Sequence, residues 1–332
     1  MVKDVDLYDL IPKLVGVILL VAILLLVLMW TGVVRCGSFP YLCDFYYTVV
    51  GSPRVAIIYG GEGLGDPMKL QMMLLNPEIV GVENVATYQI DQVALANLKN
   101  YKLVIVENAK KMSREQLEMF MQYTNQNGGR LVWIGDAGTE PIDEEKEVYN
   151  DLKGIIDSDP EDMNLPAKTK SELLDALKDP WSRVLEKDNS YDITDFGQFL
   201  GVEYIGNYCS LLGAGKCSGN LKTVGSIQPE KTGNNPLIYG MSPSVTLRVK
   251  EGRDFSVVRI IPNSNTGIVA SLNFPTNLLT GDKVDVGKNV PFIVTSGFGE
   301  RVAYYAYPPE YLVEDNNAYL IMKQMVRGML GE

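Results

Sequence analysis

The sequence contains no histidine, and that absence removes a large part of ordinary protein chemistry. Imidazole is the commonest metal ligand and the side chain whose unperturbed pKa lies nearest neutrality. Ser-His and Cys-His nucleophile activation, His-ligated zinc and His-ligated haem are therefore excluded. Cysteine is sparse, four in 332 residues, and the Cys-x6-Cys and Cys-x7-Cys intervals are not zinc spacings. Basic side chains are outnumbered, 30 against 41 acidic, for a formal charge of −11. That is the wrong sign for neutralising phosphates, and no nucleic acid partner is expected. Neither the dinucleotide fingerprint nor G-x-x-x-x-G-K-[ST] occurs, so Gly61-Glu62-Gly63-Leu64-Gly65-Asp66 reads as a flexible turn rather than a phosphate cradle. No N-x-[ST] sequon is present to report on compartment.

Long apolar runs, by contrast, are present. Leu14 to Val34 is 21 residues without a charge, enough at about 1.5 Å per residue to cross a hydrocarbon layer of about 30 Å. The expectation is one uncleaved transmembrane helix over 14–34, preceded by a short cytoplasmic N-terminus, 1–13. Val33-Val34-Arg35-Cys36 offers no A-x-A cleavage site, and Trp30 fits an interfacial aromatic. Lys3 and Lys13 before the span are balanced by Arg35 and Arg54 after it, so charge does not set the orientation. The cysteines do: Cys36 with Cys43 and Cys209 with Cys217 form two short-range pairs, all beyond the span. Two local disulfides place the C-terminal part outside the cytoplasm, in the cell membrane's exterior.

Residues 35–52 form a stalk, and the folded domain is expected over 53–332. Arg54 to Tyr59, Val85 to Ile90, Leu103 to Glu107 and Arg130 to Ile134 read as strands, mostly apolar throughout as buried parallel strands are. A helix is expected around Met68 to Leu75. A second starts at Ser113, capped reciprocally with Gln116, and stops at Gly128. From about 139 to 195 the chain carries 17 acidic and 7 basic residues, a helical insertion with nearly all of the net charge. Its helices are expected around Asp143 to Ile156 and Ser171 to Glu186, the second broken at Pro180. Further strands at Val257 to Ile261, Gly267 to Leu272 and Arg301 to Tyr307 precede a closing helix, Asn316 to Leu330. The fold class is α/β, a doubly wound, mainly parallel sheet.

The order of segments resembles the class I glutamine amidotransferase-like, or flavodoxin-like, domains. The resemblance rests on the Gly60-Gly61 turn after the first strand, Tyr101-Lys102-Leu103-Val104-Ile105-Val106, and Gly128-Gly129-Arg130-Leu131-Val132. It continues through Phe199-Leu200-Gly201-Val202-Glu203, Asn235-Pro236-Leu237-Ile238-Tyr239-Gly240-Met241 and Gly299-Glu300-Arg301-Val302-Ala303-Tyr304-Tyr305. Active members of that family hold a cysteine on a G-x-C-x-G elbow with a histidine partner. Here the elbow is Gly135-Asp136-Ala137-Gly138. The resemblance thus implies the fold without its thiol chemistry.

Two carboxylates remain as weak catalytic candidates, Glu62 on the first Gly-rich turn and Asp136 on the elbow. Both are expected at the carboxyl edge of the sheet, where ligands of open α/β folds bind. The expected function is a non-catalytic binding or scaffolding module of a cell-envelope assembly, with a protein partner, no cofactor and no metal. The alternative is a hydrolase of surface glycans or peptides working through Glu62 and Asp136, which requires those carboxyl groups to converge in one pocket.

Overall fold

A computed structural model describes residues 14–17, 19–21, 23–24, 27, 54–158, 167–187, 190–213, 215–230, 235–261, 266–279, 285–316 and 318–331. The chain divides into two compact units, Met1–Ser52 with Gly331–Glu332, and Pro53–Leu330. In the first, the described residues between 14 and 27 are helical, and their large apolar side chains are 46% to 67% exposed. Among the described residues no helix is long and apolar enough to cross a membrane. The rest of the expected span, the stalk, and Cys36 and Cys43 lie outside the described residues.

The second unit is built on β1 (Arg54–Tyr59), β2 (Asn84–Gln89), β3 (Leu103–Val106), β4 (Arg130–Ile134), β5 (Ser182–Lys187), β6 (Ser190–Asp195) and β7 (Val202–Asn207). It continues with β8 (Lys222–Pro229), β9 (Val245–Val249), β10 (Ser256–Ile260), β11 (Gly267–Leu279), β12 (Asp285–Ser296) and β13 (Val302–Tyr305). Nine of these make one sheet in the order β2-β1-β3-β4-β13-β12-β11-β8-β9. The first five are mutually parallel, in the flavodoxin-like order 2-1-3-4-5 if β13 is counted fifth. β12, β11, β8 and β9 extend the sheet antiparallel. The expectation of a mainly parallel sheet therefore holds for five of nine strands. β3 and β13 are buried at every residue, as a sheet covered on both faces requires.

Local sequence accounts for the helices around this half. Asp66 caps the helix Pro67–Leu75 by accepting from the Lys69 N–H, and Pro67 supplies a preset first-turn φ. The Ser113–Gln116 capping box forms in both directions at the helix Arg114–Asn125. That helix buries Leu117, Phe120 and Tyr123. The chain then reverses at Gly129, where a Cβ would lie 2.1 Å from the Tyr123 ring.

One expectation is corrected. The insertion's first helix runs Asp143–Ser158, but its second, Ala167–Lys178, stops before Pro180, and β5 pairs with β6 as a hairpin instead of continuing as helix. The cause is long-range: the Trp181 indole N–H donates to the Ala137 carbonyl at 2.8 Å and the Arg183 guanidinium to the Gly138 carbonyl at 2.8 Å. These bonds pin the segment to the elbow. The closing helix forms close to its expected bounds, as Tyr319–Leu330, and an additional helix, Pro309–Asn316, precedes it.

Candidate functional site

β4 ends in the elbow 135–138, whose glycines take left-handed φ values, 63° at Gly135 and 68° at Gly138. Every carbonyl of the elbow is taken by a side chain. The Tyr304 hydroxyl donates to Gly135 O (3.1 Å), the Thr139 hydroxyl to Asp136 O (2.8 Å), and the indoles of Trp133 (2.9 Å) and Trp181 (2.8 Å) to Ala137 O. Arg183 takes Gly138 O. The rings pack edge to face in the core around it: Phe120 and Trp133 meet at 5.4 Å, Trp181 and Tyr304 at 5.7 Å. Such pairs add about 0.5–1.5 kcal/mol each beyond their burial.

Asp136 itself is 2% exposed. One carboxylate oxygen accepts from the Leu64 N–H at 2.8 Å, and the other from the Asn207 side-chain amide at 2.9 Å. Asn207 in turn accepts from the hydroxyls of Tyr204 and Ser256, both at 3.0 Å. The aspartate therefore ties the loop after β1 to the elbow and to β7. Burial, with the charge of Asp136 behind it, raises the pKa of the Tyr204 phenol well above its ordinary value. Each Asp136 oxygen accepts one hydrogen bond, and burial leaves the carboxylate closed to a substrate.

Glu62 stands apart from this arrangement. Its side chain is 61% exposed and faces the Lys111 ammonium at 3.3 Å. The two sequence candidates do not form one site, since one is a solvated loop carboxylate and the other a buried tie. Cys209 and Cys217 form the expected disulfide, and the Cys209 N–H donates to Asp254 at 3.0 Å. Burial pushes the Asp254 carboxyl up to about 6.

A second pair of carboxyl groups, absent from the sequence reading, lies between the carboxyl ends of β1 and β3, the switch point at which open α/β sheets bind ligands. Glu107 follows β3 and Glu310 begins the first closing helix. Both are 0% exposed. Glu310 accepts from the Asp66 N–H at 2.9 Å, while both Glu107 oxygens and Glu310 Oε2 have no hydrogen-bond partner among the described residues. Burial, then the neighbouring carboxylates Glu310 and Asp66, hold Glu107 well above the usual carboxylate range. Burial pushes Glu310 up to about 8. Gly65 covers the pair: a Cβ there would come within 2.7 Å of Glu107 Oε2. The switch point is thus sealed by backbone. The only sequence signal was an acid directly after LVIV, which an exposed loop residue would give equally.

A cavity of about 240 Å³ opens beside the elbow, between Thr139 and the insertion, lined by Glu145, Lys146, Tyr149, Asp179 and Arg183 among others. Burial lowers Arg183 to about 10, and Glu145 lies 3.6 Å from its Nε. No group of metal-ligating side chains occurs among the described residues.

No family model matches the chain, and no curated protein does. Among solved structures it is similar to a ThuA-like protein from Bacteroides uniformis, at 14% identity over 83% of this chain and 92% of that one, with TM-score 0.48. It is also similar to the GH42 β-galactosidase Gan42B (12%, 83% of this chain but 32% of that one, TM-score 0.42). A third is a GMP synthase component from Thermoplasma acidophilum (8%, 84% and 93%, TM-score 0.38). These likenesses concern shape and assign no activity to this chain.

Proposed function

We propose that this chain is a single-pass membrane protein whose folded domain, similar to the class I glutamine amidotransferase-like domains, is a non-catalytic binding module of a cell-envelope assembly. The observation that carries the reading is Asp136: where those enzymes expose a thiol, this elbow buries a carboxylate whose two oxygens are both occupied. With no histidine in the chain, the imidazole partner that activates such a thiol is missing too. The exposed apolar side chains of the described helical residues between 14 and 27 support the anchor. The Cys209–Cys217 disulfide supports an oxidising compartment. The acidic insertion supplies a surface for a partner of opposite charge.

Cross-linking in the native membrane followed by mass spectrometry tests the proposal. A recurrent envelope protein attached through residues 139–195 is the expected result. Robust turnover of glutamine, a glycan or a peptide by the purified full-length chain refutes it. Accessibility of the folded domain to protease added outside intact cells tests the orientation separately.

A further inference from the structure

The edge at which the parallel strands begin carries a feature that the binding-module reading does not use. Arg54 opens β1, Lys102 precedes β3, Arg130 opens β4 and Arg301 precedes β13. These strands are neighbours in that order, and the backbone links them directly. The Lys102 N–H donates to Arg54 O (3.0 Å), the Arg130 N–H to Lys102 O (3.1 Å) and the Leu131 N–H to Arg301 O (2.8 Å). With strands about 4.8 Å apart, the row is roughly 15 Å long. Lys99 adds a fifth cation in the turn before β3. Arg54, Lys99 and Lys102 are exposed, and Arg130 and Arg301 are half-buried. In the turn between β12 and β13, beside Arg301, Phe298 is 83% exposed. Glu78, Glu83 and Glu300 are the acids in the adjoining turns, fewer than the cations, in a chain whose net charge is −11.

Connectivity selects the partner. Arg54 is the first residue of β1, so the polypeptide enters the domain on this edge, eighteen residues (35–52) and Pro53 after the expected span. Fully extended, a stalk of that length reaches about 60 Å at most, so a membrane surface is always close and weak contacts are favoured by high effective concentration. Each cation near an anionic surface strengthens binding roughly fivefold, and a lone exposed aromatic beside them suits the headgroup layer. We infer that this edge, through Arg54, Lys99, Lys102, Arg130, Arg301 and Phe298, docks on anionic lipid headgroups of the membrane that holds the chain. The inference rests on the anchored reading proposed above.

The test uses the full-length F298W chain in vesicles of neutral phosphatidylcholine or of mixtures with anionic phosphatidylglycerol, each with brominated acyl chains as quencher. Trp133 and Trp181 are fully buried, and Trp30 is common to the parent chain, so the difference between F298W and parent reports the new indole. Expected are quenching at low salt in anionic vesicles, its loss at high salt, and its reduction by at least tenfold in apparent lipid affinity when R54Q, K99Q and K102Q are combined. An unchanged near-ultraviolet circular dichroism spectrum certifies the fold of that variant. An indole equally unquenched in both lipids, in a chain that resists alkaline carbonate extraction, overturns the inference and leaves the anchor standing. A chain released by carbonate refutes the anchor instead; co-sedimentation of that released chain with anionic vesicles then sustains the docking surface, and failure to co-sediment removes it.

Discussion

Stability should fall as pH rises from about 5 to above 8, because of Glu107 and Glu310. In the native state both carboxyls are wholly buried, and burial raises both pKa values, Glu310 to about 8 from an ordinary 4.5. Their surroundings offer little relief: Asp66 adds a like charge to both, while Lys69, the nearest cation acting on Glu310, is paired with Glu314. Between 4.5 and about 8 the native state holds a proton at Glu310 that the unfolded chain releases. By linkage, the contribution is fully present below 4.5 and is lost as pH rises through 8. A shift of this size corresponds to roughly 3–5 kcal/mol, with Glu107 acting in the same direction. Asp254, raised to about 6, repeats the pattern at lower pH. On the acid side Glu140, lowered by its hydrogen bond to Lys110, opposes the trend as pH falls below its ordinary pKa. The assay is urea denaturation of the detergent-solubilised chain followed by fluorescence of the buried Trp133 and Trp181. The midpoint should be higher at pH 5 than at pH 9, and E310Q, a neutral isostere, should flatten the dependence while raising stability at pH 9. A flat profile in the parent chain, or an E310Q profile as steep as the parent's, refutes the reasoning.

Removing the Asp136 side chain should act on stability rather than on any activity. D136A leaves the buried Leu64 N–H and the Asn207 amide without acceptors and should cost about 2–4 kcal/mol by urea denaturation. D136N should cost much less, because the Asn207 amide can turn over and donate to the Tyr204 and Ser256 hydroxyls, which accept as readily as they donate. D136C should gain no esterase or glutaminase activity in a chromogenic assay. Opening the Cys209–Cys217 loop with the C209S/C217S pair should cost about 2–3 kcal/mol, read as a lowered melting temperature. G129A, whose Cβ would enter the Tyr123 ring, should cost about 1–3 kcal/mol by overpacking and expose Tyr123 to hydrogen exchange or iodination.

The parallel half was legible in the sequence because its signals are local. Apolar runs such as LVIV, the Ser113–Gln116 box and the stop at Gly128 each depend on residues within a few positions of one another. The antiparallel half was largely hidden. β11 and β12 contain Pro275 and Pro291, and a proline counts against a strand; here register irregularities in β11 between Asn273 and Leu278 accommodate one of them. The segment after Pro180 carries helical signals locally, and what makes it a strand, the capping of the Ala137 and Gly138 carbonyls by Trp181 and Arg183, spans more than forty residues of sequence. At the site, the elbow and its missing nucleophile could be seen from Gly135-Asp136-Ala137-Gly138 alone. That Asp136 is a buried tie could not, since its partners Leu64 and Asn207 are 72 and 71 positions away.

The acidic insertion and the cation row belong to opposite ends of the parallel strands, and this separates two kinds of contact. The acidic insertion leaves the sheet at the elbow, on the carboxyl edge, where backbone and side chains seal both Asp136 and Glu107 from small ligands. The cation row lies at the opposite ends of the same strands, where the chain enters the domain at Arg54. On the proposals made above, a domain that meets lipid with one edge would turn the other outward, to where its envelope partner can reach it. The two contacts should therefore be separable by mutation. Replacing the exposed insertion acids Glu144 and Glu147 with lysine should abolish partner cross-links and leave quenching of the F298W indole by anionic lipid unchanged, while R54Q/K99Q/K102Q should do the reverse. Joint loss of both contacts in either variant would mean that one surface serves both, and the polarity of the sheet would then have no functional meaning.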